Sequence, residues 1–409
     1  MKFAFVINVF REDDFHSGGE KLFYELVNRS VQDGYQVDLY CASYLGIPKQ
    51  KGFSEMRSGN EDFPLEKPQM VEGNVLSENR NTNSLPISYN NVLKNKFNKL
   101  TFLGNPKDFK YPEKIEVFYR KIKSLTEKEG YDFVITENIS PPLDIAILQG
   151  HSLIHCQKHA GNWFAKFLFT LKKHKHIKAQ KKWLKQPYRK IIVPSEILKE
   201  ELKENFQIPE EKFLVIYPGV NQQGNYAASP AGKPFTFGLS APSFGKKGGY
   251  IFLKTLNLLR TKGYDFKAKI IYPKYKNNLK LQFLLRKYGL TGRIEFLPYQ
   301  ADMSEFYSSI DCIVVPSVLE TFGLVATEAM IRRKPAIISS FSGASEIIND
   351  AENGFIFNMT GKNYQNLAEK MEFFLNNSVD YEKISQNAHE TALKLNWHNF
   401  YEKFKANLI

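Results

Sequence analysis

The sequence predicts an α/β protein made of two doubly wound domains, each a parallel sheet wrapped by helices. Three observations predict it. Short apolar runs alternate with amphipathic stretches along most of the 409 residues. The first of these runs form a strand, glycine, helix, strand unit. A segment rich in Asn, Gln, Ala, Gly and Pro, 221–234, then separates two such series. A chain of this length exceeds what one core usually serves, so two domains are the natural division.

The first series opens with the apolar run Lys2–Ile7, a buried strand. It leads through Ser17-Gly18-Gly19 into Glu20–Gln32, where Leu22, Phe23, Leu26 and Val27 recur at helical spacing. Val37–Cys41 is the next strand, and a βαβ unit of this order implies a right-handed crossover in a parallel sheet. From about Gly46 to Pro112 the chain is polar and rich in Asn, Lys and Glu, and the pattern assigns no element. Strands resume at Phe133–Ile135, Ile191–Val193 and Phe213–Tyr217, with a helix over Ser195–Asn205. Residues 221–234 have linker composition. The second series comprises a strand from Phe235, the helix Tyr250–Lys262, the strand Ala268–Tyr272 and the helix Leu279–Tyr288. The strands Ile294–Leu297, Cys312–Val315 and Ala336–Ser339 follow, and Tyr381–Ile409 is helical. The expected domains are 1–220 and 221–389, with a helix from about 390 to 409 packing back on the first.

Hydrophobic content of 43% and charged content of 24% are ordinary for a folded globular chain, and the high aromatic content of 14% argues against extensive disorder. The three cysteines, Cys41, Cys156 and Cys312, are too few and too widely spaced for a disulfide framework or a zinc motif. They fit a reducing compartment. Arg11-Glu12-Asp13-Asp14 interrupts the short apolar N-terminus, which is unlike a signal peptide, and no run is long enough to span a membrane. The expected location is the cytoplasm, with attachment to the inner membrane face left open. A net charge of +13 suits an anionic membrane surface, phosphorylated substrates or nucleic acid, or else is a solvated lysine-rich surface.

The most informative segment runs from Val314 to Met330. A strand ends at Pro316, a turn carries Glu320, Thr321, Phe322 and Gly323, and a helix continues from Leu324 through Glu328. Two glutamates eight apart mean little by themselves; their register beyond a strand end and across a helix start suits a nucleotide sugar. A carboxylate accepts hydrogen bonds from vicinal hydroxyls, so one can hold sugar hydroxyls and the other a ribose diol. Lys246-Lys247-Gly248 repeats the strand–loop–helix arrangement, where an anion is favoured. The stretch 158–190 holds eleven Lys or Arg, three His and no acid. Trp163, Phe164, Phe167, Leu168 and Leu171 form an apolar stripe within it. Either the stripe lies in a membrane interface with lysines on anionic head groups, or it packs in the core with a solvated basic back. No nucleic-acid recognition motif accompanies the charge. His151, His155 and His159 recur every four residues, and no neighbouring carboxylate or cysteine completes a metal set.

The Glu320 to Glu328 segment resembles the E-x7-E signature of glycosyltransferase family 4, retaining enzymes of the GT-B fold, which has two Rossmann-like domains facing a central cleft. Gly18-Gly19-Glu20 resembles the family's acceptor-side glycine loop, and Tyr217-Pro218-Gly219-Val220-Asn221 its domain junction. Ser342-Gly343-Ala344-Ser345-Glu346 and Asn353-Gly354 match its later turns. Ser243-Phe244-Gly245-Lys246-Lys247-Gly248 is similar to the phosphate loop of lipopolysaccharide core glucosyltransferases. The resemblance implies a metal-independent enzyme, without cofactor, that transfers a hexose from a nucleotide sugar to a hydroxyl. UDP-glucose is the first expectation for the donor and a cell-envelope glycan or glycolipid for the acceptor. It places Lys247 on the donor diphosphate, Glu320 in catalysis, and His151 or His155 near the donor sugar. Where many relatives have arginine after the first glycine of the second domain, Leu239 follows Gly238, so Lys246 supplies that cation or the contact is absent. A sugar epimerase and a silent membrane-bound scaffold of the same fold are the rival readings.

Overall fold

The computed structural model describes residues 1–11, 18–45, 71–72, 98–102, 111–141, 143–161, 163–222, 234–300 and 302–408. Its contacts group into two compact units: residues 1–148 with 173–191, and residues 149–172 with 192–409. Most of the polar stretch 46–112 lies outside the described residues.

In the first unit, β1 (Lys2–Arg11) is the central strand. Residues Phe3 to Ile7 are all buried, as expected for a parallel strand covered on both faces. After it come α1 (Gly18–Gln32), β2 (Gln36–Leu45), β3 (Val71–Glu72), β4 (Lys99–Phe102) and α2 (Pro112–Glu129). Proline at its first position starts α2, and Gly130, left-handed at φ 64°, ends it. β5 (Phe133–Glu137) and β6 (Ile145–Ile147) follow. The strand order is β3-β2-β1-β5-β6, with β4 beside β2. Only the β2–β3 pairing is antiparallel among those with a described register. Ala4, Val6, Tyr40, Phe118, Tyr119, Ile122 and Val134 form a core between α2 and the sheet.

α3 (Leu153–Lys158) and the long α4 (Trp163–Leu184) lead to β7 (Lys190–Val193), α5 (Glu196–Phe206) and β8 (Phe213–Val215). The second unit's own sheet follows: β9 (Thr236–Ser240), α6 (Gly249–Thr261), β10 (Lys267–Ile271), α7 (Leu279–Lys287), β11 (Ile294–Leu297), α8 (Ser304–Ser308), β12 (Cys312–Val315), α9 (Leu324–Met330), β13 (Ala336–Ser339) and β14 (Gly354–Phe357). The helices α10 (Asn363–Leu375), α11 (Tyr381–Leu393) and α12 (Trp397–Leu408) complete the chain. Strand order is β11-β10-β9-β12-β13-β14, and every pairing is parallel. The chain builds outward from β9 to β11, then returns to the other side of β9 as β12. Between β9 and β12 lies the topological switch point, where loops leaving adjacent strand ends diverge and a ligand crevice forms.

Some elements depart from the sequence expectation. Gly18 and Gly19 are the first two residues of α1 rather than part of a loop; glycine there leaves the helix start without side-chain cover. Gly354, expected in a turn, begins β14, and β6 has no counterpart among the expected strands. Both strands have only three or four residues, too few to show a period. The tail is two helices, because Asn396 and its neighbours turn the chain before Trp397. Trp397 closes on the 217–221 segment: its indole Nε1 donates to Asn221 Oδ1 at 3.0 Å, and a Cβ on Gly219 would lie 2.5 Å from the Trp397 nitrogen.

Candidate functional site

The loops leaving β9 and β12 meet at the switch point. The amide of Val318 donates to the Lys246 carbonyl at 3.0 Å, and the Lys247 ammonium is hydrogen-bonded to Glu320 Oε2. Ser317 Oγ donates to the same carboxylate oxygen at 3.3 Å. The side chains of Lys247 and Glu320 are 32% and 13% exposed, so the pair is partly shielded yet open to a ligand. Lys246 projects into solvent, while Leu239 is buried in the core and offers no contact of the kind arginine would make.

Glycine is required where the two loops touch. Gly248 has φ 72°, and a Cβ there would sit 1.8 Å from the Pro316 carbonyl oxygen. Gly323 has φ 107°, and a Cβ on it would lie 3.0 Å from Ser342 Oγ. The Lys247, Gly248 and Gly249 amides donate to Ser243, Gly245 and Phe244 carbonyls at 2.9, 3.2 and 2.8 Å. That loop therefore closes on itself, and its lysine side chains carry the positive charge toward any anion.

The turn holding Glu320 is fixed from below. Gly343 and Ala344 amides donate to the Glu320 and Phe322 carbonyls at 3.1 and 2.7 Å, and Ser342 Oγ donates to the Phe322 carbonyl at 2.7 Å. The Phe322 ring is buried and stacks with Tyr217, centroids 5.8 Å apart. A ligand would meet only its backbone amide. Thr321 is likewise engaged: its Oγ1 donates to the Gln149 carbonyl at 2.8 Å, and its carbonyl accepts from Ser195 Oγ at 2.7 Å. Leu324 starts α9, and Glu328, further along that helix, accepts from the buried Tyr307 hydroxyl at 2.8 Å. Arg332 donates to the Glu328 carbonyl at 2.9 Å.

His151 is brought to this neighbourhood through Gln149, two residues before it. The three histidines do stack: rings of His151 and His155 are 4.8 Å apart at 12°, and His155 and His159 are 4.5 Å apart. His159 meets Phe341 edge-on at 5.7 Å. The carboxylate missing from the local sequence comes from α5, where Glu201 Oε2 lies 2.6 Å from His151 Nδ1. Glu201 is the functional candidate that sequence reading does not find, because fifty residues separate the partners and Glu201 looks like any helix glutamate. Burial lowers the His155 pKa from its ordinary 6.5 to about 4, against the opposing pull of Glu201, and lowers that of His159 in the same way. His155 and His159 are therefore uncharged at neutral pH. Among the described residues, His151, His155 and Glu201 are the only group whose ligand atoms approach a metal-binding arrangement, spread over 4.8 Å.

Gly18 and Gly19 belong to the first unit, at the start of α1. The apolar stripe on α4 is not core: Trp163 is 77% exposed, and Phe164, Phe167, Leu168 and Leu171 are exposed too. The C-terminal half of the helix is what packs, through Ala179, Trp183 and Leu184. No helix among the described residues is long and apolar enough to cross a membrane.

Two parallel α/β sheets, with loops converging at the switch point of the second, constitute the GT-B architecture. The chain matches the family model for glycosyl transferases group 1 over residues 230–391 and that for glycosyltransferase family 4 over residues 97–223. It thus carries a family 4 glycosyltransferase domain followed by a group 1 glycosyl transferase domain. An uncharacterised glycosyltransferase of Methanocaldococcus jannaschii is 31% identical over 214 residues, 51% of this chain and 56% of the relative. A second from that organism is 29% identical over 236 residues, 51% of this chain and 57% of the relative. The chain thus spans little more than half the length of these curated relatives. WaaG, a glycosyltransferase involved in lipopolysaccharide biosynthesis, superposes with a TM-score of 0.67 at 16% identity, over 99% of both chains. HepE of Anabaena, crystallised with UDP, superposes with a TM-score of 0.65 at 14% identity, over 100% of this chain and 99% of that one. At these identities the structural likeness speaks for the fold.

Proposed function

We propose that this chain transfers a hexose from a nucleotide sugar, with UDP-glucose the first candidate, to a hydroxyl of a cell-envelope glycan or glycolipid, retaining the anomeric configuration. The observation that carries the reading is the Lys247–Glu320 pair at the switch point of a family 4 fold. An ammonium has three donors, so Lys247 can keep Glu320 while donating to a diphosphate oxygen. Glu320 in turn accepts from sugar hydroxyls. Lys246, exposed on the same loop, is the second cation, and the Phe322-Gly323-Leu324 amides border the donor. Glu328 takes the ribose diol. Charge building on the departing diphosphate is met by fixed positive groups, so catalysis rests on positioning and electrostatics, with no metal or cofactor assigned a part. His151 stands beside the donor sugar, and the acceptor enters at Gly18 and Gly19.

The exposed aromatic stripe of α4, flanked by lysines, supports attachment to the cytoplasmic face of an anionic membrane, where a glycolipid acceptor would be found. A thermal-shift panel of UDP, GDP and ADP sugars, followed by transfer and donor-hydrolysis assays with the strongest binder, tests the function. A rise in Tm with UDP-glucose and released UDP are expected. No shift with any nucleotide sugar would refute the donor site.

A further inference from the structure

We propose that Glu201 is a positioning residue for His151: its buried carboxylate keeps the imidazole proton on Nδ1, so that Nε2 presents a lone pair to a hydroxyl of the donor sugar. The inference rests on the donor-site reading given above and adds a residue to it.

Three donors converge on Glu201. The Ser152 amide and hydroxyl reach Oε1 at 3.0 and 2.6 Å, and His151 Nδ1 reaches Oε2 at 2.6 Å. The side chains of Glu201 and His151 are 2% and 7% exposed, so water does not compete for these bonds. Ser152 Oγ also accepts the His155 amide at 3.2 Å, capping α3. Its proton therefore points at Glu201, and the carboxylate acts as acceptor at both oxygens. The remaining mobile proton of His151 then belongs on Nδ1, and a neutral ring protonated there is an acceptor at Nε2.

That Nε2 is buried and makes no hydrogen bond within the protein. Buried polar atoms are seldom left so, and an unpartnered one on a segment bonded to the Glu320 turn calls for a ligand. The segment bearing it is tied to the Glu320 turn at both ends. Thr321 Oγ1 donates to the Gln149 carbonyl, and at the far end of the stack His159 meets Phe341, whose neighbour Ser342 forms a β-bridge with Glu320. A hydroxyl suits Nε2 better than a cation. The ligand atoms of His151, His155 and Glu201 spread to 4.8 Å, whereas zinc bonds of about 2.0–2.1 Å hold ligands much closer together. Glu201 already accepts from three protein donors.

The test uses the full chain labelled with 15N-histidine and a long-range proton–nitrogen correlation spectrum, with His151→Asn to assign the His151 signals. The expected spectrum shows a protonated Nδ1 and an unprotonated Nε2, and UDP-glucose moves the Nε2 signal. In Glu201→Gln, an amide donor faces either Ser152 or His151; the tautomer mixes or reverses, UDP-glucose no longer moves Nε2, and kcat/KM falls about tenfold. Ser152→Ala, which removes one donor and leaves the carboxylate, keeps the Nδ1 proton and serves if Glu201→Gln does not fold. A wild-type His151 protonated on Nε2 would overturn the inference, as would an unchanged tautomer in Glu201→Gln. Stoichiometric Zn2+ binding that perturbs both His151 and His155 and disappears in Glu201→Gln would replace it with a metal site. If UDP-glucose raises Tm while Nε2 stays unmoved, this inference fails and the donor site stands. If no nucleotide sugar raises Tm, the donor site fails, and the tautomer still decides the role of Glu201.

Discussion

Glu320 and Glu328 share a residue type and differ in surroundings, which separates what their loss should do. Glu320 sits in the turn with Lys247 and Ser317 on its carboxylate, where a sugar would be held against the leaving group. Charge-assisted bonds contribute about 1.5–3 kcal/mol each, so Glu320→Ala should lower kcat roughly tenfold to a hundredfold with modest change in donor KM. Glu328→Ala should instead raise the UDP Kd by a similar factor while saturating turnover changes little. Steady-state kinetics and calorimetric UDP titration of both variants check this; equal activity of both with the parent would remove the pair from the site. Gly248 makes a second prediction at this scale. A methyl group there meets the Pro316 carbonyl at 1.8 Å in a left-handed backbone, so Gly248→Ala should cost about 2 kcal/mol or more of stability. It should also spread the Lys247 and Glu320 loops. A Tm equal to the parent's would show that the loops tolerate separation.

At the scale of the element, α4 combines two halves with different tasks. Its C-terminal turns bury Trp183 and Leu184, and Lys182 and Trp183 both bond Glu116 on α2, at 2.9 and 3.1 Å. Its N-terminal turns leave Trp163, Phe164, Phe167, Leu168 and Leu171 exposed. An apolar patch flanked by lysines binds an anionic bilayer by inserting rings and pairing charges, and salt weakens the second contribution. The chain should float with anionic liposomes at low salt and much less at high salt, and Trp163→Ser with Phe167→Ser should abolish flotation without altering Tm. Equal, salt-independent flotation of parent and variant would dismiss the stripe.

For the whole molecule, stability should depend on pH in a defined window. The folded His155 pKa is lowered to about 4 from 6.5, chiefly by burial. Between those values the unfolded chain binds the proton and the folded chain does not, so stability rises with pH there and is lost as pH falls from about 6.5 toward 4. His159, lowered for the same reason, adds in the same direction. Urea midpoints should drop between pH 7 and pH 5, and His155→Gln should flatten that slope; a midpoint independent of pH in the parent would contradict it. Much of this architecture is legible in the sequence. The second sheet's longer strands, its glycines and the Glu320 to Glu328 register are local patterns that period and punctuation reveal. The strands β6 and β14 are not, since three or four residues carry no period, and Phe322 cannot be recognised as a buried anchor of the turn until Tyr217 is seen against it. Sequence alone determined the two α/β series and the register of Glu320 and Glu328 across a strand end and a helix start, because each depends on neighbours within a few positions. Only the tertiary structure decided that Lys247 reaches Glu320, that the α4 stripe is exposed, and that Glu201 meets His151. Those depend on which distant strands and helices lie side by side, a choice made by burial of the whole core.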